Sequence, residues 1–357
     1  MAMEVYRPTK ATINLGAIRR NTQRIIRKYP GYQYYMAVVK ADSYGYRGMQ
    51  VVDAMLAGGA NCLAASLLEE GLALREHYPE LPILLFTPLQ KEVLPICVRN
   101  NIWVTVANLQ QAQDAAQIEG LQVLIRANGG CDIFGGPVDR GGFEAIWNTL
   151  RSGKCNLTGV YLHSYNAEDE QDSLREYETF EAMTAGVDLS TLEIVSISNS
   201  LSLPRYGKKD YCNACRLGNI IYRIESEDEE LEHTFSLTSP VLTVFDLPKG
   251  RSVAYSHAYT ARSDGERIAA IPIGFGDGFA KFNIGRDVFI HGKRYPIVAV
   301  TMDISHILVD EQVQPGDVVY LIRDNHHLDE ISTHIRGATE EAICQLNKRV
   351  HREYIDQ

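Results

Sequence analysis

Residues 37–48 read Ala-Val-Val-Lys-Ala-Asp-Ser-Tyr-Gly-Tyr-Arg-Gly. An apolar run, Tyr35 to Val39, stops at Lys40. Turn-forming residues follow, with Gly45 and Gly48, and a helical pattern starts at Met49. A short apolar run, a glycine-punctuated loop and a helix make one strand–loop–helix unit. A lysine at the carboxyl end of a buried strand is poorly solvated, and burial lowers an amine's pKa because it disfavours the charged form. The neutral amine is the form that attacks an aldehyde to make a Schiff base. The plain alternative is a strand-ending lysine that simply reaches solvent.

The unit recurs. Candidate strands are Tyr35–Val39, Cys62–Ala65, Ile83–Leu85, Val104–Val106, Val123–Ala127, Leu157–Leu162, Ile194–Ser196 and Cys215–Ile221. Amphipathic stretches such as Leu67–His77 and Gln110–Glu119 lie between them. Alternating strand and helix over more than about 200 residues argues for a parallel sheet. Eight strands suggest a closed (β/α)8 barrel, with an open doubly wound sheet as the rival. No GxGxxG opens a helix after the first strand, which weakens a dinucleotide-binding reading.

The pattern changes near the acidic run Ser226–Glu232, read as a solvated connector. Alternating segments follow at Leu237–Phe245, Arg251–Tyr259, Arg267–Ile273, Asp287–Ile290, Ile297–Met302, Ile307–Val309 and Asp317–Ile322. Turns such as Pro248-Lys-Gly250 and Gly276-Asp-Gly278 separate them, so this part reads as a mostly β domain. The expected fold class is α/β: a (β/α)8 barrel over 11–232, then a mostly β C-terminal domain over 233–357 that residues 1–10 join.

Bulk properties exclude several classes. The chain has 357 residues, 45% hydrophobic and 22% charged, an ordinary globular balance. A net charge of −10 argues against a nucleic-acid surface. No apolar run approaches the roughly 20 residues of a membrane span. The N-terminal stretch lacks the apolar core of a signal peptide, so a cytoplasmic location is expected. Seven scattered cysteines suit reduced thiols. Cys212-Asn-Ala-Cys215 has redox or metal spacing but no second CxxC, and structural zinc takes four ligands, so no metal is expected.

The segment around Lys40 resembles the signature of the alanine racemase family, Val-Val-Lys-Ala-Xaa-Xaa-Tyr-Gly, whose lysine binds pyridoxal 5′-phosphate (PLP). Thr12–Asn21 is similar to the family's opening strand and first helix, and Gly58–Leu74 to its second strand and helix. The resemblance implies a PLP-binding barrel, a β domain and a homodimer with shared active sites. It implies that Tyr44 donates to the cofactor phosphate. His163, closing Gly159-Val-Tyr-Leu-His163, is placed near the cofactor ring and its arginine partner. Ser198-Asn-Ser200 resembles Ala-Asn-Ser, whose serine binds the phosphate, although helix capping is an ordinary use of such serines. Arg216-Leu-Gly-Asn-Ile-Ile-Tyr222 resembles Arg-Xaa-Gly-Ile-Xaa-Leu-Tyr, placing Gly218 and Asn219 at the phosphate and Arg216 against the pyridine nitrogen. A guanidinium stays protonated and gives that nitrogen no proton. The ring is then a weaker electron sink, which suits an enzyme that only removes and returns one proton.

Val253-Ala-Tyr-Ser-His-Ala-Tyr259 resembles the block carrying the catalytic tyrosine, mapped here to Tyr259. A two-base racemase needs a base on each face, with Lys40 on one and Tyr259, from the partner subunit, on the other. A tyrosine with pKa near 10 is a poor base unless nearby cations lower it. A strand aromatic in the β core is the plain reading of Tyr259. Ala270–Gly278 resembles Ile-Pro-Ile-Gly-Tyr-Xaa-Asp-Gly, with Phe275 where a tyrosine is usual. Thr301-Met302-Asp303 resembles Cys-Met-Asp, making Met302 and Asp303 substrate-binding candidates.

Two departures bear on substrate. The family's Lys-Val-Asp-Thr-Gly-Met-Gly-Arg-Leu-Gly falls on Arg126-Ala-Asn-Gly-Gly-Cys-Asp-Ile-Phe-Gly135. Ile133 replaces an arginine that supports the tyrosine and the substrate carboxylate. Arg126 replaces the lysine, often carbamylated, that holds that arginine. Near the C-terminus Lys348 stands where a phosphate-side tyrosine is common. The resemblance implies interconversion of L- and D-alanine for cell-wall synthesis. Racemisation of serine or a basic amino acid is one alternative, and a non-catalytic PLP-binding protein is another.

Overall fold

The computed structural model of the chain describes residues 6–130, 132–167, 169–224 and 228–357. Residues 1–5, Cys131, and Ser226 and Glu227 of the acidic connector lie outside the described residues. The chain divides into two compact units. One holds Arg19–Ser43 and Gly48–Ile221. The other holds the chain up to Ile18, the short piece Tyr44–Arg47, and the chain from Tyr222 onward.

In the second unit's sheet lies β1 (Lys10–Asn14). The first unit is built on β2 (Tyr34–Val38), β3 (Cys62–Ala65), β4 (Ile83–Leu85), β5 (Ile102–Val106), β6 (Gln122–Ala127), β7 (Asn156–Leu162), β8 (Ile194–Ser196) and β9 (Ala214–Leu217). They form one parallel sheet in the order β8-β7-β6-β5-β4-β3-β2-β9. Backbone bonds from Asn213 to Val195 and from Arg216 to Ser198 join its two ends, completing the barrel. Strands covered on both faces read as continuous apolar runs, and every residue of β3, β4 and β5 is buried. Helices follow the strands. Their first turns are capped where the sequence supplies Asn or Asp: Asn108 accepts from the Gln111 amide, Asp139 from Gly142 and Asp169 from Asp172.

The second unit adds β10 (Phe235–Pro240), β11 (Thr243–Leu247), β12 (Ser252–Val253), β13 (Tyr259–Thr260), β14 (Glu266–Ile271), β15 (Asp287–Ile290), β16 (Lys293–Val300), β17 (Ser305–Val309), β18 (Val318–Ile322) and β19 (His351–Ile355). Nine of its strands make a sheet ordered β11-β14-β17-β16-β15-β18-β10-β1-β19, antiparallel except for the β1–β19 pair. β12 and β13 form a separate two-stranded ribbon.

Several expected segments differ. Cys215–Ile221 is not one strand: β9 ends at Leu217 and a helical turn begins at Asn219. Leu237–Phe245 divides into β10 and β11 after Pro240, which has no amide to continue a ladder. Arg251–Tyr259 becomes the ribbon, with a 3-10 turn, Tyr255–His257, between its strands. The strand expected to reach Met302 stops at Val300. A helix over Asn325–Ile335 had no counterpart in the strand pattern, though Asp324 caps it by accepting from the His327 amide.

The glycines of Ile-Pro-Ile-Gly274-Phe-Gly276-Asp-Gly278 are required by close backbone approach. A Cβ at Gly274 would lie 2.3 Å from the Thr301 carbonyl, and one at Gly278, where φ is +89°, 1.9 Å from that of Gln345. Between them Asp277 is fully buried and accepts from Arg7, at 2.7 Å from Nη2, and from the Gly274 amide.

Candidate active site

The barrel residues singled out by the sequence gather where β2, β7, β8 and β9 end. Lys40 stands two residues beyond β2. It is exposed, which corrects the expectation of a poorly solvated amine: the chain has left the buried strand and turned. Ala41, Asp42 and Ser43 have φ/ψ of 53/45°, 54/54° and 55/53°, and Tyr44 follows at φ 57°. This is a left-handed helical turn made of non-glycine residues. Each such residue costs roughly 1–2 kcal/mol, so the surroundings must hold it. Glu70 does so from the first turn of the helix Leu68–His77. Its Oε1 accepts from the Ala41 amide at 2.7 Å, and its Oε2 from the Ser66 and Leu67 amides at 2.9 and 3.0 Å. Sequence reasoning missed Glu70. The available signal was an acid in the first turn of the helix after β3.

Arg216, on β9, is buried, and four of its five N–H donors meet protein acceptors. Its Nη2 donates to the Leu162 and Ile197 carbonyls at 2.6 and 2.8 Å, its Nε to Ser196 Oγ at 3.2 Å, and its Nη1 to His163 Nδ1 at 3.0 Å. Its guanidinium lies 5.3 Å from the Tyr161 ring centroid. Burial lowers its pKa to about 10, which leaves it charged at neutral pH. A guanidinium only donates, so His163 Nδ1 accepts and the imidazole is neutral, with its proton on Nε2. Burial first, then the charges of Arg216, Arg126 and Lys40, push the His163 pKa down to about 3.

Ser200 and Gly218 also meet. The Gly218 amide donates to Ser200 Oγ at 2.9 Å, which leaves the hydroxyl proton for an incoming anion. Asn219 follows, partly buried, at the start of the helical turn. Ser198, the other serine of that motif, faces away: its Oγ meets the Tyr32 hydroxyl at 3.0 Å. Cys212 and Cys215 are buried thiols whose pKa values burial raises. Among the described residues no cluster of three metal-ligating side chains occurs.

The remaining candidates belong to the second unit. Tyr44 is buried there, its ring centroid 4.9 Å from that of Tyr222, while Arg352 donates to the neighbouring Gly45 carbonyl at 3.1 Å. Lys348 is exposed. Met302 lies exposed in the loop after β16, its carbonyl taken by the Gly276 amide at 2.8 Å. Asp303 is exposed, and Arg349 Nη2 donates to its Oδ1 at 2.5 Å.

Tyr259 fits a catalytic base poorly. Its hydroxyl donates to Glu266 Oε2 at 2.6 Å, and burial together with that carboxylate raises its pKa. Glu266 also accepts from the Arg262 and Ser263 amides, so the contact fixes the end of the ribbon. The cations expected to lower this tyrosine's pKa are outweighed by an acid. Tyr255, four residues earlier, is 83% exposed and makes no hydrogen bond among the described residues. Ala254, Ser256 and His257 around it have φ of 62°, 54° and 54°. A tyrosine held out on a strained turn is what a base offered to another molecule requires. Its spacing, i to i+4 in one motif, made the two tyrosines indistinguishable in sequence.

Comparison with known proteins gives a consistent result. The model of the alanine racemase N-terminal domain matches residues 13–226, and that of the C-terminal domain matches 234–354. The chain is 29% identical over 372 residues to alanine racemase 1 of Bacillus subtilis strain 168, covering 98% of this chain and 94% of that one. It is 29% identical to the alanine racemase of Streptococcus gordonii, covering 99% and 100%. Among solved structures, alanine racemase from Bacillus anthracis with bound L-Ala-P superposes with a TM-score of 0.90 at 27% identity, covering 99% and 97%. A histidine racemase from Leuconostoc mesenteroides shares the fold, with a TM-score of 0.83 at 20% identity, covering 98% and 99%. With both domain models matched in order along nearly its whole length, the chain belongs to the alanine racemase family.

Proposed function

We propose that the protein is a PLP-dependent, two-base amino-acid racemase that interconverts L- and D-alanine. The observation that carries this reading is Arg216 locked onto a neutral His163 beside Lys40. The residues fit the cofactor by their chemistry: an amine for an aldehyde, a hydroxyl with a backbone amide for a phosphate, and a permanent cation for a pyridine nitrogen. When bound, PLP supplies an aldehyde that captures the amino group and a conjugated ring that withdraws electrons from the α-carbon.

The chain's own groups do the rest. Ser200, Gly218 and Asn219 hold the phosphate, with Tyr44 and Lys348 as further donors. Arg216 keeps the ring nitrogen unprotonated, because its own proton is not available at neutral pH. That limits the electron demand and disfavours transamination. Lys40 would serve one face, removing the α-proton from one enantiomer and delivering a proton when the other is the substrate. A tyrosine of a second copy serves the other face, and Tyr255 is the better candidate than Tyr259. The Met302 amide contributes to holding the substrate carboxylate; Asp303 acts through Arg349. We further propose a homodimer with shared sites, a cytoplasmic enzyme, and D-alanine supply for cell-wall synthesis. The family membership supports these. No described helix is long and apolar enough to cross a membrane. The domain division at 232/233 is proposed as the functional one.

A second reading, racemisation of a different amino acid, is favoured by Ile133, which is 60% exposed and apolar where an arginine is usual. The test is a panel of L-amino acids incubated with protein and PLP, with enantiomers resolved, alongside borohydride reduction and mass mapping. Alanine racemisation with cofactor mass fixed on Lys40 supports the proposal. Racemisation of another residue only moves the substrate, and no turnover with any amino acid overturns it.

A further inference from the structure

The second unit has a cleft of about 250 Å³, open to solvent on one side, with room at its floor for about one water-sized group. Leu237 of β10, Ile322 of β18, Phe279, Phe282 and Ala342 make apolar walls. Arg286, the residue before β15, brings a cation to this lining. It is 5% exposed, and its guanidinium lies 5.2 Å from the Phe279 ring centroid. Three of its five donors are spent on uncharged oxygens. Nε donates to Asn283 Oδ1 at 2.6 Å, and Nη1 to the Leu321 and Asp287 carbonyls at 2.9 and 3.2 Å. Nη2 has no acceptor among the described residues and is not sealed from solvent, so its two N–H groups are left for the cleft.

Among the described residues no carboxylate pairs with Arg286. Asp287, next in the chain, turns to Arg294 Nη1 at 3.8 Å. His327 is 2% exposed, donates from Nε2 to the Asp287 carbonyl and accepts the Arg323 amide at Nδ1, so it is neutral. Glu341, exposed at the rim, meets Gln345 Nε2 at 3.3 Å. Burial lowers the Arg286 pKa to about 9, with Asp287 pulling the other way, and the group stays charged at neutral pH. A buried charge that keeps two donors but no counter-charge is costly. We infer that the cleft is an anion site, in which Arg286 Nη2 binds a monovalent, weakly hydrated anion of the halide class. The floor takes a single ion. Apolar walls return none of the hydration the ion gives up, so bromide is preferred over chloride and chloride over fluoride, and doubly charged oxyanions are disfavoured. The cleft brings together the turn Lys281–Asn283, β18 and the helical turn Glu341–Cys344. A bound halide therefore ties these segments together and makes the stability of the second unit depend on it. The site owes nothing to the racemase reading and stands or falls apart from it.

The probe is chloride itself, read as the excess chloride-35 NMR line width that the PLP-loaded protein adds in a gluconate buffer. Two variants separate the cation from the space. Arg286→Met removes the charge, and Ala342→Leu keeps the charge and fills the cleft. Wild type is expected to broaden the line more than either variant, and bromide should remove that excess at a several-fold lower concentration than fluoride. Its Tm should rise as chloride replaces gluconate, and the rise should be smaller in both variants. If Arg286→Met does not fold, Ala342→Leu carries the comparison alone. Equal line widths in wild type and the folded variants overturn the site. An excess lost in Arg286→Met but intact in Ala342→Leu also overturns it, because the ion then sits outside the cleft. Displacement by fluoride as readily as by bromide does the same, since it marks ordinary surface charge.

Discussion

The barrel end and the ribbon of β12 and β13 handle their functional groups in opposite ways. At the barrel end the groups are interlocked within their own unit: Arg216 spends its donors on four acceptors and His163 is held neutral. On the ribbon one tyrosine is tied down by Glu266, and the other, Tyr255, stands almost fully in solvent. The first arrangement preorganises a site for a cofactor that stays. The second offers a group outward and needs another molecule to give it a surrounding. The contrast teaches that tyrosine position in a motif says less about catalysis than whether the hydroxyl is already spoken for.

The contrast breaks most readily at the tyrosines. Tyr255→Phe should lower kcat/KM by about a hundredfold or more, the ordinary cost of losing a general acid–base group. Tyr259→Phe should cost less than about tenfold, with a small loss of stability from the missing Glu266 contact. The reverse ranking in steady-state kinetics would return the role to Tyr259 and erase the difference between the regions.

On the barrel side, the half-buried, neutral His163 predicts acid sensitivity. Its pKa falls from 6.5 to about 3 on folding. Below pH 6.5 the unfolded chain therefore binds a proton that the folded chain does not, and stability falls as pH falls. At pH 5 the loss is about 2 kcal/mol from this group. Denaturant melts at pH 7 and pH 5 should show that loss in wild type, and less of it in His163→Gln. An equal loss in the two would mean that the histidine does not carry the effect.

A smaller effect sharpens the idea of preorganisation. Glu70→Gln weakens the brace on the Ala41, Ser66 and Leu67 amides. Because Glu70 is partly exposed, about 1–2 kcal/mol is expected. It should appear as a several-fold fall in kcat/KM and faster amide exchange over residues 40–44. Unchanged exchange there would show that the left-handed turn holds itself.

Much of this was legible in the sequence, for physical reasons. Strands covered on both faces leave continuous apolar runs, so Cys62–Ala65, Ile83–Leu85 and Ile194–Ser196 could be bounded to the residue. Ser200, Gly218, His163 and Arg216 became candidates through motifs that resemble the family's, and the fold brings Ser200 to Gly218 and His163 to Arg216. What stayed hidden was backbone conformation chosen by tertiary contacts. Ala41–Tyr44, and Ala254, Ser256 and His257, take positive φ without glycine, so nothing local announces them. Val253–Tyr259 alternates like a strand, which concealed the turn that presents Tyr255. The exposure of Lys40 follows from the first of these turns and was equally out of reach.

The most direct test of the account is complementation between the two regions. Lys40→Ala and Tyr255→Phe are each expected to be nearly inactive alone. Mixed in equal amounts and allowed to exchange subunits, half the dimers become hybrids. Each hybrid holds one site with both bases, so activity should return to about a quarter of wild type. Recovery near that level would show that the barrel end of one copy works with the ribbon of another. No recovery after exchange has been verified by mass would contradict the shared, two-base site.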